Sequence, residues 1–392
     1  MELYFHIPFC VRKCLYCDFL SAPGDKKMQT AYMEALLRET ASRANEYKDY
    51  VVKTIFIGGG TPSVVEAEWI EKLLALVKEC YELAPRAEIT IEVNPGTVDF
   101  YKLMRYYKAG INRLSIGLQS ANDDELKRLG RIHTLAQFQD TYNGAVKAGF
   151  DNINVDVMSA LPGQSLESYE NTLRVVLGLN PQPTHISAYS LIVEEGTAFA
   201  ELERAGRLPL PDEECEREMY EKTGELLQKA GFWRYEISNY AKPGFECRHN
   251  CGYWQRYDYA GFGIGAASLI DNKRFSNGKG IWEYIQNPMG CRGTIQELTV
   301  GEQMEEFMFL GLRMTTGVSP ALFEQTFGAS LWQVYGEVIR KNIKDGLLHF
   351  QDGGVQGGRQ KDKPPAGTES RLALTKRGID ISNYVMAQFL LD

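Results

Sequence analysis

The sequence predicts an α/β protein built on a parallel sheet, and three observations carry that prediction. Six short β-rich runs, each followed by a turn and a stretch with helical periodicity, recur through the first half of the chain. The conspicuous cysteines, glycines and polar residues gather at the C-terminal ends of those runs, where parallel sheets keep their chemistry whether they stay open or close into barrels. With 392 residues and a 44% hydrophobic composition, the chain suits one barrel-sized domain and a smaller companion. These patterns leave open an open doubly wound sheet or a full or partial barrel.

In chain order, the expected strands are LYFHIP (3–8), KTIFIG (53–58), EITIEV (88–93), RLSIGL (113–118), NINVDVM (152–158) and HISAYSLI (185–192). Between them, MQTAYMEALLRETASRANEY and EWIEKLLALVKECYEL space apolar residues by three and four, as helices do. Cys10, Cys14 and Cys17 follow the first strand and GGGTP (58–62) the second; Glu92 and Asn94 end the third, Gln119 ends the fourth, and Asp156 lies late in the fifth. Agreement among separate segments is better evidence than any one motif. Near residue 210 the rhythm stops. PDEECEREMYEKTGELLQKAGF reads as a helix, a Gly- and aromatic-rich stretch follows, and helices are expected near 299–314, 319–327 and 330–345. Residues 352–370 are too polar to pack and read as a mobile loop, and the tail as a short strand and a final amphipathic helix. The expected units are 1–210, 211–298 and a mainly helical, winged-helix-like 299–392.

A net charge of −8, from 43 basic and 51 acidic residues, gives the whole chain no attraction for nucleic acid or anionic lipid. The C-terminal helices show no clustered basic face, so no nucleic-acid partner is expected despite the winged-helix pattern. No apolar run reaches the roughly 18 residues a membrane span needs, and the start has no secretory pattern, so the expectation is a soluble cytoplasmic protein. In that reducing compartment, cysteines at 10, 14 and 17 are read as metal ligands or redox groups before disulfides.

The C-x3-C-x2-C run leaves three thiolates on one loop, which can ligate three irons of a four-iron cluster and leave the fourth open. The alternative is a Cys3His zinc site completed by His6. GGGTP places glycines where backbone must approach a ligand closely, and it is no P-loop, since no G-K-[ST] follows. Arg131, in LGRIHT, suits a carboxylate partner, and Asp156 suits sugar hydroxyls. In CRHNC, Cys247, His249 and Cys251 would face one way on a strand and could hold a second metal. GFGIGA (261–266) fits G-x-G-x-x-A but follows no buried strand, so the dinucleotide reading fails its context.

C-x3-C-x2-C with an aromatic before the last cysteine, after the first strand of a β/α chain, resembles the radical S-adenosylmethionine (SAM) superfamily. The resemblance implies a partial (β/α)6 barrel, a [4Fe-4S] cluster on Cys10, Cys14 and Cys17, and SAM chelating the open iron. It further implies SAM contacts at Tyr4, Gly58, Gly59, Gly60, Thr61, Glu92, Gln119, Arg131 and Asp156, and an electron donor such as flavodoxin or ferredoxin if SAM is cleaved. YFHIPFC, GGGTP, RLSIGLQS, LGRIHT and NVDVMSALPGQ together resemble the coproporphyrinogen III dehydrogenase-like group over nearly the whole chain. Within it the dehydrogenase has a longer arm before the cluster and a further cysteine two residues after the third; here Phe19 holds that place and nine residues precede Cys10. Both departures, and HNCGYW (249–254) with its H-N-x-x-Y-W pattern, resemble the haem-chaperone branch. That branch implies haem as ligand, with His249 as a candidate iron ligand and Tyr253 and Trp254 as aromatic walls, and transfer of haem to respiratory haem proteins, at the membrane's inner face. The rival it implies is an oxygen-independent coproporphyrinogen III dehydrogenase.

Overall fold

The structure is a computed structural model that describes residues 1–352 and 370–391. Six β/α units open the chain: β1 (Glu2–Ile7), α1 (Lys26–Arg43), β2 (Val51–Gly59), α2 (Ala67–Cys80), β3 (Glu82–Val93), α3 (Phe100–Ala109), β4 (Arg113–Gln119), α4 (Asp123–Arg128), α5 (Leu135–Ala148), β5 (Ile153–Ser159), α6 (Leu166–Leu177) and β6 (His185–Ser190). Local chemistry sets the helix ends. Asp25 caps α1 by accepting the Met28 N–H, Thr134 and Gln137 form a reciprocal capping box on α5, and left-handed Gly110 and Gly149 end α3 and α5.

Neighbouring strands from β1 to β6 are all parallel. Next come α7 (Ala198–Arg204), α8 (Glu213–Lys229), β7 (Trp233–Arg234), β8 (Asn239–Ala241), α9 (Arg248–Trp254), β9 (Tyr259–Phe262), β10 (Ala267–Ile270), β11 (Lys273–Ser276), α10 (Ile281–Gln286) and β12 (Gln296–Glu297). These strands extend both edges of one sheet in the order β12-β11-β10-β9-β1-β2-β3-β4-β5-β6-β8-β7. β1 pairs with β9 and β6 with β8, so the six-stranded wall never closes on itself. The partial barrel is the architecture found.

Strand alternation sorts the side chains. On β1, Leu3, Phe5 and Ile7 join the apolar core beneath the helices, with Ile55, Ile57, Ile91, Leu114, Ile116 and Val155 from its neighbours. The opposite face carries Glu2, Tyr4 and His6, and the barrel interior holds Thr54, Glu88, Glu92, Ser115, Asn154, Asp156 and His185 as well. A polar interior is what lets this barrel hold chemistry along its axis.

The C-terminal part has a core of its own, with Met308, Phe323, Tyr335, Ile339, Phe350, Leu372 and Phe389. It comprises α11 (Val300–Gly311), α12 (Pro320–Phe327), α13 (Leu331–Lys344), the antiparallel pair β13 (Leu348–Asp352) and β14 (Ser370–Leu374), then α14 (Lys376–Asp380) and α15 (Ser382–Ala387). Three helices and a hairpin are the expected winged-helix-like order. The tail differs from expectation: non-helical Ile381 splits the single final helix into α14 and α15. Of the expected loop 352–370, the end residues Asp352 and Ser370 pair across the hairpin, and 353–369 lies outside the described residues. Among the described residues, no helix is long and apolar enough to cross a membrane.

Candidate functional site

The C-terminal ends of all six strands converge on a cavity of about 440 Å³. Its lining includes Cys10, Cys14, Cys17, Gly59, Gly60, Thr61, Glu92, Gln119, Arg131 and Asp156, so ten sequence-expected residues separated by up to 146 positions meet at one mouth. The cysteines are half-buried on the loop after β1. That loop is pinned from below: Leu15 N–H donates to the Leu129 carbonyl, and the Arg12 guanidinium to the Gly130 carbonyl. Two sulfurs already face donors, Cys10 the Thr61 hydroxyl at 3.5 Å and Cys14 the Arg131 guanidinium at 4.0 Å.

The zinc alternative finds no support in the geometry. His6 spends both ring nitrogens, on the Tyr4 hydroxyl at 3.1 Å and the Leu20 carbonyl at 2.8 Å. No group of three or more His, Cys, Asp or Glu side chains among the described residues is gathered to hold a single metal ion.

The glycines act through space and backbone angle. Gly59 sits at φ +120°, and a Cβ there would meet the His6 ring at 2.8 Å and the Ile7 carbonyl at 2.9 Å. A Cβ on Gly60 would lie 2.8 Å from the Phe9 carbonyl and 3.0 Å from the Cys10 sulfur. The Gly59 N–H donates to Glu92 at 3.1 Å. Burial, and then the neighbouring Asp156, push the Glu92 carboxyl up to about 8. Gln119 ends β4 at φ +70°, a conformation rarely adopted without glycine, with its amide oxygen accepting from the Tyr189 hydroxyl at 3.0 Å.

Three expected site residues stand elsewhere. Gly58 lies behind the mouth, where a Cβ would press on Phe56 at 2.9 Å and Glu92 at 3.1 Å, so it makes room for the carboxylate. Tyr4, on the inward face of β1 but deeper than the cysteine loop, lines a second cavity. His249 is on α9, which plugs the N-terminal end of the barrel. Glu88 accepts both the Arg248 and His249 N–H groups, and the His249 ring lies 5.1 Å from that of Phe56. The imidazole is 1% exposed, with Nδ1 on the Thr54 hydroxyl at 2.7 Å and Nε2 on the Tyr253 hydroxyl at 3.1 Å. Burial drives it down to about 3, so it is neutral.

The alternation that a strand would have given Cys247, His249 and Cys251 is not realised: Cys247 precedes α9 and Cys251 accordingly lies one turn on, and no metal-holding group forms there among the described residues. GFGIGA leads from β9 toward the antiparallel β10 and opens no helix, in keeping with its failed context.

The second cavity, about 450 Å³, lies between α9, β9–β11 and α11. Tyr4, Tyr253, Trp254, Tyr259, Arg274 and Phe309 are among its walls. Arg274 pairs at 2.6 Å with Glu306, which also takes Arg256 at 2.9 Å.

Asn94, noted in the sequence at the end of the third strand but given no role there, donates its amide to Thr61 at 2.8 Å and accepts from Arg131 at 3.0 Å, joining the glycine turn to the arginine. Its place at the end of β3, beside Glu92, was the available signal. Tyr16 and Tyr189 also line the mouth.

A family described as the Radical SAM superfamily matches residues 4–176, and one described as the HemN C-terminal domain matches residues 298–357. The chain is 37% identical over 390 residues to "Heme chaperone HemW" of Lactococcus lactis subsp. lactis (strain IL1403), covering 99% of this chain and 97% of the relative. It is 37% identical over 392 residues to the protein of that name from Bacillus subtilis (strain 168), with coverage of 99% and 98%. For the Escherichia coli (strain K12) protein of the same name the figures are 43% over 272 residues, 69% and 70%. Among solved structures, coproporphyrinogen III oxidase (HemN) from Escherichia coli, a radical SAM enzyme, superposes with a TM-score of 0.82 at 23% identity, covering 99% of this chain and 89% of that one. The last likeness is one of fold.

Proposed function

The chain belongs to the HemW family of radical SAM proteins, and from that premise we propose that it is a haem chaperone, binding haem and passing it to respiratory haem proteins. The observation that carries this reading is likeness over nearly the whole chain to relatives named for that role. Recipients at the inner face of the membrane, and a flavodoxin- or ferredoxin-type electron donor, belong to the same proposal.

Cys10, Cys14 and Cys17 are the proposed ligands of a [4Fe-4S] cluster, which supplies an open iron and an electron. The mouth residues then receive SAM: Gly59, Gly60 and Thr61 by unhindered backbone, Arg131 by a guanidinium suited to a carboxylate, and Asp156 by an acceptor suited to ribose hydroxyls. Glu92 and Gln119 complete the wall, while Gly58 and Tyr4 support it from behind.

For haem, the second cavity offers aromatic walls from Tyr253, Trp254, Tyr259 and Phe309, and Arg274 near its edge as a carboxylate partner. His249 is proposed as an iron ligand in the neutral form that ligates metals, reached once its Nε2 leaves the Tyr253 hydroxyl. His249→Ala is expected to change the haem spectrum and weaken binding, and Tyr253→Phe, which frees Nε2, to strengthen it. An unchanged spectrum and affinity in both variants would remove His249 from the reading.

One experiment tests the function: reconstitute the cluster without oxygen, then measure haem stoichiometry and coproporphyrinogen turnover on the same sample. Stoichiometric haem without turnover is expected. Turnover without haem binding would reverse the conclusion in favour of the dehydrogenase, against which Phe19 stands at the mouth.

A further inference from the structure

Asp156 faces the mouth at the head of a hydrogen-bonded column that descends the barrel interior. Its Oδ1 accepts from the Asn154 side-chain amide at 2.7 Å, and its Oδ2 from the Ser115 hydroxyl at 3.2 Å. The same Asn154 nitrogen lies 2.8 Å from Ser115, so both of its donors are used. That orientation is forced, because the flipped amide would set its oxygen against the carboxylate. The Asn154 carbonyl therefore needs donors below it, and it has two, the Ser187 hydroxyl at 3.2 Å and His185 Nδ1 at 2.6 Å.

The direction propagates. His185 must carry its proton on Nδ1, which leaves Nε2 as an acceptor for the Tyr235 hydroxyl at 2.8 Å. Tyr235, having given its proton upward, accepts from the Cys247 N–H at 3.3 Å, at the start of the floor helix α9. Every donor from Cys247 to Asn154 thus points toward one carboxylate. Such one-way chains polarise each link and strengthen the last bond, the one made to the charge. Asn154, His185 and Tyr235 are all buried, so no water competes with them.

We infer that Asn154, His185 and Tyr235 are positioning residues for Asp156, so that the affinity of the mouth for SAM is set partly from the floor of the barrel. The inference rests on the reading of the mouth as a SAM site. None of the three lines the mouth cavity; Asn154 reaches it through Asp156 and through Ser115, which itself donates to Asp156.

The test is SAM binding to the cluster-loaded chain, with cluster absorbance and the unfolding midpoint read on the same samples. Asn154→Leu removes the donor to Asp156 and is expected to raise the SAM Kd about ten-fold or more, since hydrogen bonds to charged groups are the strong ones. Tyr235→Phe, a smaller change that keeps the ring, is expected to raise it roughly three-fold with cluster absorbance unchanged. The deciding readout is a cycle against Asp156→Asn: both effects should shrink in that background, where the acceptor carries no charge, whereas a merely structural role would persist undiminished in it. Should Asn154→Leu fail to fold, Tyr235→Phe and its double with Asp156→Asn complete the same cycle. Equal factors in both backgrounds, or an unchanged Kd in the folded single variants, would overturn the inference. If the cluster-loaded wild-type chain binds no SAM, the reading of the mouth falls first and the inference with it.

Discussion

At Gly59 a single backbone angle decides what the site can hold. φ of +120° excludes an unstrained side chain, and the space a Cβ would need is filled by the His6 ring and the Ile7 carbonyl. Gly59→Ala is expected to weaken SAM binding at least ten-fold, on the order of 1.4 kcal/mol or more, as titration of the cluster-loaded chain would show. His133 makes a second residue-scale case. It is buried behind the mouth with Nε2 on the Leu118 carbonyl at 3.2 Å, and burial, then the Arg131 charge, push it down to about 4. A histidine lowered on folding contributes stability above its unfolded pKa of about 6.5 and loses it as pH falls toward the folded value. Relative to His133→Gln, which keeps an N–H donor, the wild-type chain is expected to lose about 2 kcal/mol more stability between pH 7 and pH 5. Denaturation midpoints at the two pH values measure that difference. The cysteine spacing and GGGTP were legible as a site in sequence; the strain at Gln119 was not, because no residue type announces a left-handed angle at a non-glycine position.

Among the elements, α9 has the most to explain. In sequence, HNCGYW was an aromatic segment of unsettled structure; in three dimensions it is a two-turn helix closing the barrel floor. The burial of Glu2 requires that contact: its carboxylate packs so close to Gly252 that a Cβ there would collide with it, and burial pushes Glu2 up to about 8. Gly252→Ala is expected to cost about 2 kcal/mol by overpacking, with part recovered in the Glu2→Ala background, as thermal or denaturant unfolding would show. The six strands were legible within two or three residues at most ends because β-rich runs alternate with helical periodicity. β3 is the exception, since it begins at Glu82 instead of residue 88, its first residues pairing with β2 across a register shift that no alternation pattern discloses. The short strands β7 to β12 were missed, since two- to four-residue strands carry too little pattern to recognise.

Across the whole molecule, the mouth and the second cavity have no lining residue in common. The mouth belongs to the strand tips, and the second cavity borrows Glu306, Phe309 and Leu310 from α11 of the C-terminal part. Phe309→Ala is expected to weaken haem binding roughly five- to thirty-fold, on the order of 1–2 kcal/mol, while leaving cluster absorbance and SAM affinity at wild-type values. Parallel haem and SAM titrations check both halves of that statement. By itself the sequence determined the β/α rhythm, the partial-barrel resemblance and the gathering of cysteines, glycines and carboxylates at strand ends, because periodicity and motif spacing are local properties. Tertiary structure alone decided that His249 faces the barrel floor and Tyr4 the second cavity. It also decided that Asn154 bonds Asp156, His185 bonds Asn154 and Tyr235 bonds His185, a column whose members span 81 positions of chain. Those assignments depend on which buried polar groups find one another once the sheet curves, and no spacing along the chain encodes such a meeting.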